Sequence, residues 1–196
     1  MDSLAWTLLQ RWIAEAGNDV TVLPADGDAA ATTLETLGVN DRSVLGALAA
    51  NTGGLTIDRG WLSVLGGPGL LKWRDKLEDE LVVGHDVVAG FFTVDPHEGE
   101  VHYLGPDTLE WIGTEMGHSE WVHWTLAGDL EAFYSTLRWP GWEEESAALP
   151  PDTGLTLHPP PFTREGRPVA NATRGPTPTA ELWELQREFI RQLKAT

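Results

Sequence analysis

The 196 residues contain no cysteine, which excludes disulfides, thiolate catalysis and cysteine-ligated zinc. Basic side chains are scarce: 13 Lys and Arg stand against 30 Asp and Glu, for a net charge of −17. No apolar run approaches the roughly 18 residues that a membrane-spanning helix needs. The opening "MDSLAWTLLQRWIAEAG" carries acidic Asp2 where an export signal is basic, and Arg11 interrupts its apolar part. It reads as an amphipathic helix, and the expected location is the cytoplasm. Ser3, Ser43, Ser63, Ser119, Ser135 and Ser146 form no GxSxG elbow. "GGPG" (66–69) lacks both the P-loop lysine and the GxGxxG pattern, and Pro68 removes an amide that would cradle phosphate. It reads as a turn.

The distribution of charge says more than its total. Between Leu77 and Leu137 there is no Lys or Arg, while 13 Asp and Glu occur there. Residues 161–196 carry six basic and four acidic groups, so this tail is +2 and residues 1–160 are −19. Such a body repels phosphate backbones, which argues against nucleic acid as a partner. It would attract a basic protein. Solubility of a Trp-rich chain is the plainer explanation of the same acidity.

What is present sorts into helices and hairpins. Ala5, Leu8, Leu9, Trp12, Ile13 and Ala16 share one helical stripe, closed by Gly17. "VTVLPA" (20–25) is a short strand. Helices are predicted over 26–38 and 41–54, opened by Asp26 or Asp28 and by Asp41. "LTIDRGWLSVLGG" (55–67) is a hairpin around "DRG", followed by an irregular stretch. "DVVAGFFTVD" (86–95) and "EVHYLG" (100–105) form a second hairpin across "PHEG", and "TLEWIG" (108–113) a third strand. Helices follow over 119–128 and 129–139, capped by Ser119 and Asp129. "GLTLHPPPF" (154–162) is an edge strand, because consecutive prolines cannot donate ladder bonds. Residues 163–177 read as an ordered arm or a flexible linker. Thr177-Pro178 opens a last helix with Leu182, Leu185, Phe189, Ile190 and Leu193 facing inward.

The fold class expected is therefore α+β, one domain over 1–196. A mainly antiparallel sheet at about 55–113 carries N-terminal and C-terminal helices.

Candidate chemistry concentrates in the acidic stretch. His85, His97, His102, His118 and His123 lie there, but His118 and His123 are five apart rather than four, and no HExxH occurs. No metal site and no cofactor is expected. A hydrolase, metal-assisted or not, would be built from Asp95, His97, His102 and Asp107. Against it, Asp107 after Pro106 suits turn chemistry, and Glu110 alternates with Leu109 and Trp111 like a solvent-facing strand residue. The ten Trp are the most unusual feature. Most belong in a core. "RWPGWEEE" (138–145) is the exception, where Pro140-Gly141 sets Trp139 and Trp142 on a turn beside Glu143, Glu144 and Glu145. Aromatic anchors with an acidic rim suit recognition of a basic protein. An arm bearing Arg164, Arg167 and Arg174 could also cross onto an acidic second copy, giving a homodimer.

"GGLTIDRGWLSVLG" (53–66), "GFFTVD" (90–95), "YLGPDTLEW" (103–111), "LAGDLEAFYSTLRWPGWEEE" (126–145) and the closing "PPF" resemble the bacterial domain of unknown function 2625. That family leads one to expect Arg where this chain has Ser63 in Gly60-Trp61-Leu62-Ser63. It also leads one to expect Phe-Ala-Pro-Asp where the chain has Leu104-Gly105-Pro106-Asp107. The resemblance covers most of the chain and brings no activity with it. The arrangement of hairpins is similar, more loosely, to the SMI1/KNR4-like (SUKH) immunity proteins, an α+β family that neutralises toxins by binding them. That likeness implies an immunity-like binding protein for a basic partner.

Overall fold

In a computed structural model of the chain, residues 3–77, 80–95 and 99–195 are described. The chain is α+β, with a seven-stranded antiparallel sheet in which every strand pairs with its sequence neighbour. Its strands are β1 (Val20–Leu23), β2 (Gly54–Ile57), β3 (Leu62–Leu65), β4 (Leu81–Asp86), β5 (Phe91–Val94), β6 (Glu100–Leu104) and β7 (Trp111–Gly117). Among the described residues eight α-helices surround it: α1 (Leu4–Ala14), α2 (Gly27–Leu37), α3 (Val44–Asn51), α4 (Gly67–Trp73), α5 (His118–Ala127), α6 (Leu130–Phe133), α7 (Trp142–Ala147) and α8 (Thr179–Lys194). A separate ribbon pairs β8 (Thr153–His158) with β9 (Thr173–Pro178).

Local chemistry explains most of these boundaries. Ser3, Asp26, Ser43 and Asp129 each turn a side-chain oxygen onto an amide of the first helical turn. Ser43 rather than Asp41 therefore opens α3. Helix α5 starts one residue before Ser119, and the Glu120 carboxylate accepts from the Gly117 amide at 3.0 Å.

Four expectations need correction. "GGPG" is no turn but the start of α4, with Pro in the first helical positions where its missing N–H costs nothing. Residues 86–95 are not one strand: β4 ends at Asp86 and β5 begins at Phe91, so the first hairpin of this region is β4–β5. Its turn escaped notice because it is buried and apolar. Asp86 supplies the turn chemistry, its Oδ1 accepting from the amides of Val88 at 3.0 Å and Gly90 at 2.7 Å. The third strand runs over Trp111–Gly117, later than 108–113. Leu193, at the end of α8, is exposed rather than inward, while of the two readings of 163–177 the ordered arm holds, its end forming most of β9 in the ribbon. The "PHEG" turn lies mostly outside the described residues.

Two faces of the sheet are filled by aromatics. On one, Phe92 meets Trp121 of α5 at 5.1 Å and Tyr103 at 4.6 Å. On the other, Phe91 meets Trp183 of α8 at 4.9 Å and Trp73 of α4 at 5.5 Å. Gly84 leaves room for the Trp121 ring, since a Cβ there would stand 2.7 Å from it. Each such ring removes a large apolar area from water, which makes these contacts the main adhesive between layers.

Candidate functional site

The residues singled out from the sequence divide between core and surface. Trp139 and Trp142 are buried and close around Trp61, at 5.7 Å and 5.1 Å between ring centroids. Arg138 is drawn into this nest. Its guanidinium lies 3.8 Å from the Trp142 ring and 4.9 Å from Trp61, and it ion-pairs with Asp58 and with Glu131. Glu143, Glu144 and Glu145 occupy the first turn of α7, where the helix dipole favours negative charge. Glu145 is committed to the fold: it accepts from Trp139 Nε1 at 2.8 Å and pairs with Arg174 of β9 at 3.0 Å. Glu144 is exposed and Glu143 half-buried.

The arm is tied to its own chain. Arg174 stacks 4.4 Å from Trp139 and donates to the Ala172 carbonyl, while Arg167 donates to the carbonyls of Pro161 and Asp107. Arg164 is exposed.

Asp95, His102 and Asp107 do not share one cavity. Asp95 follows β5, where its amide donates to Glu100, the first residue of β6. Asp107 follows the other end of β6, so the strand's length, on the order of 13 Å, separates them. His102 pairs with Thr93 in mid-strand, half-buried, its Nδ1 without a partner. His97 lies outside the described residues. Among the described residues no group of three His, Asp or Glu is placed to hold a metal ion.

Three buried titratable groups were not anticipated. Asp86 sits between Tyr103, whose hydroxyl donates to it at 2.8 Å, and the turn amides. Burial pushes its carboxyl up to about 6 despite these hydrogen bonds. Burial also lowers His85 and His118 to about 4, so both are neutral at pH 7. His118 is half-exposed as a residue, but both its ring nitrogens are shielded and unpartnered.

Two surface features remain. Strand β7 is one of the sheet's two edges, opposite β1, and it is exposed on both faces: Trp111 is 40% and Ile112 50% accessible, with Phe133 beside them at 38%. Between β7 and α6 lies a groove of about 350 Å³ lined by Ile112, Met116, Trp124, Phe133 and Asp107. Glu110 and Glu115 stand exposed on the same strand end and strand. The signal of this surface in the sequence is its missing cations, while the expectation that most Trp are core does not single out Trp111. The second feature is a cleft of about 800 Å³ over β1–β4, lined among others by Thr56, Ser63, His85 and Ser146.

Residues 1–182 match a family described as "Protein of unknown function DUF2625". The chain is 35% identical to the putative uncharacterized protein YbfG of Escherichia coli K12, over 93% of this chain and 90% of that protein. It is 32% identical to an uncharacterized protein of Haemophilus influenzae, over 74% of this chain and 72% of that protein. No solved structure matches.

Proposed function

Since this chain belongs to the DUF2625 family, described only by its unknown function, we propose a role from the geometry: it binds a basic protein segment along the β7 edge. The observation that carries this reading is the exposure of Trp111 and Ile112 on an unpaired edge strand. Edge strands offer free backbone groups to an incoming strand, and protein folds ordinarily blunt them. Here the edge is flanked by an apolar groove, and Trp is favoured at binding hot spots. An added strand would gain main-chain hydrogen bonds from β7 and seat alternate apolar residues against Ile112 and Phe133.

Charge selects the partner. Asp107 lines the groove, and Glu110 and Glu115 stand exposed at the start of and within the same strand region, inside a sequence span with no Lys or Arg from 77 to 137. Among the described residues the arm cation Arg167 reaches Asp107, where it donates to the backbone carbonyl and not to the carboxylate. A basic segment would meet favourable potential and an accelerated encounter, screened over roughly 8 Å at physiological ionic strength. An immunity-like role, in which that basic partner is a toxin, is the most specific version of this reading. The surface of α7, through Glu143 and Glu144, would add long-range attraction, while Trp139, Trp142 and Glu145 support from within the fold.

A pull-down from host lysate at low salt, eluted with high salt, tests this. A captured basic protein should lose at least tenfold in affinity to Trp111→Ala and to Glu110→Lys with Glu115→Lys. Binding that ignores salt and both variants would sink the proposal.

A further inference from the structure

The cleft over β1–β4 is a second site, independent of the β7 edge. Its floor follows from register. Thr21 pairs with Thr56, Thr56 with Ser63, and Ser63 with His85, so these four side chains share one face of four successive strands. At about 4.8 Å per strand the row is about 14 Å long. It deepens from exposed Thr21, through half-buried Thr56 and Ser63, to buried His85.

The hydroxyls of this floor are unused. Among the described residues Thr21, Thr56 and Ser63 make no side-chain hydrogen bond, although each hydroxyl can both donate and accept. On the facing wall Ser146 is only 3% exposed, and its Oγ is buried without any partner. That hydroxyl lies beneath the wall surface, so the hydroxyls open to a ligand are those of the floor. The remaining walls come from α4 through Pro68 and Gly69, and from the segment Leu149, Pro150 and Pro151.

The charges around the cleft balance. Lys72 and Arg59 stand against Asp152 and Asp19, and Lys72 pairs with Asp152 at 2.9 Å. In a chain of net charge −17 this local neutrality sets the cleft apart. His85, held neutral by its burial, feels both Asp152 and Lys72; one ring nitrogen already bonds the Asp86 backbone, so it brings polarity to the cleft rather than a charge. An anion would find no unpaired pair of cations here, and a cation no free carboxylate pair. A volume of about 800 Å³ lies within the range of small-molecule sites, roughly 300–1,000 Å³.

We propose that this cleft binds a small uncharged molecule rich in hydroxyls, a mono- or disaccharide, lying across the Thr56–Ser63–His85 row with its ring against Leu149 and Pro150. Sugar hydroxyls, like those of the floor, donate and accept at once, so each contact satisfies both sides. The C–H faces of a pyranose ring suit the proline and leucine wall. A ligand lacking the hydroxyls would leave the floor unpaired, which is a strong basis for rejection.

The test is isothermal titration and saturation-transfer NMR on the full chain with glucose, galactose, N-acetylglucosamine and maltose, each to tens of millimolar. At least one should bind saturably, with an affinity unchanged between low and high salt. That affinity should fall at least tenfold in Thr56→Val with Ser63→Ala, and vanish in Ser63→Arg, which fills the floor; circular dichroism confirms that each variant is folded. Trp111→Ala should leave it unchanged. No saturable binding by any of the four sugars overturns the proposal. So does binding that survives Ser63→Arg, or glucose 6-phosphate binding more tightly than glucose.

Discussion

Arg138→Met isolates the most unusual arrangement in the core. The Arg138 side chain is 5% exposed, and its partners differ in what they contribute. Glu131 is 75% exposed, so that ion pair is worth close to nothing. Asp58 is 23% exposed; stranding a fully buried carboxylate costs about 3–5 kcal/mol, and partial hydration reduces this to about 2 kcal/mol. Loss of the cation from between Trp142 and Trp61 adds about 1–2 kcal/mol, while the methionine refills most of the volume. The variant should therefore lose about 3–4 kcal/mol, or on the order of 10 °C in Tm for a chain of this size. Urea unfolding followed by tryptophan fluorescence measures it. Adding Asp58→Asn removes the stranded charge, and Asn tolerates the positive φ of 55° found at this position. The double variant should recover about 1–2 kcal/mol of the loss. A single variant losing less than 1 kcal/mol, or a double variant no more stable than the single, refutes this account.

Stability should also depend on pH in two opposed ways. His85 and His118 have folded values of about 4 against 6.5, so their contribution is complete above 6.5 and is lost as pH falls towards 4. Asp86 moves from 3.8 to about 6, so its contribution is complete below 3.8 and is lost as pH rises through 6. His118→Leu should flatten the acid side, and Asp86→Asn should steepen it, by up to about 1.4 kcal/mol per pH unit between 4 and 6; urea midpoints at pH 4.5, 5.5 and 7 decide, and unchanged slopes would count against both assignments. Gly90→Ala should cost about 2–4 kcal/mol, because a Cβ there collides with both Asp86 Oδ2 and the Tyr103 hydroxyl. A thermal melt within 2 °C of the parent would show that the turn gives way cheaply.

Much of the architecture was legible because it is written in local signals. The stripe of α1, the caps at Asp26 and Asp129, and the β2–β3 hairpin follow from spacing and capping chemistry. What could not be seen depends on distant partners. The turn 87–90 looks like strand because it is apolar, and it is apolar because it is buried: Val87 accepts from Leu155 across the ribbon. Strand β9 was hidden by its prolines, Pro176 and Pro178, which a two-stranded ribbon tolerates on its free side. For the sites, the acid-rich span pointed to the right region, but only the fold decides which Trp face outward. Trp139 and Trp142 read as turn residues and are core, while Trp111 is surface. The floor of the cleft is invisible in sequence, since Thr21, Thr56, Ser63 and His85 are spread over 65 positions and meet only through register.

The bare edge of β7 has a consequence for crowding of the molecule with itself. Trp111 and Ile112 on an open strand are a template on which a second copy could stack, edge to edge, into a growing ladder. Glu110 and Glu115 stand guard over it: two copies brought edge to edge would set these carboxylates against each other, within chains that already carry −17 apiece. The same charges that would welcome a basic segment thus turn away a twin. That guard is only as strong as the reach of its charge, so salt thick enough to shorten that reach to about 3 Å at 1 M should release it. Light scattering would then rise for the parent chain and stay flat for Ile112→Lys.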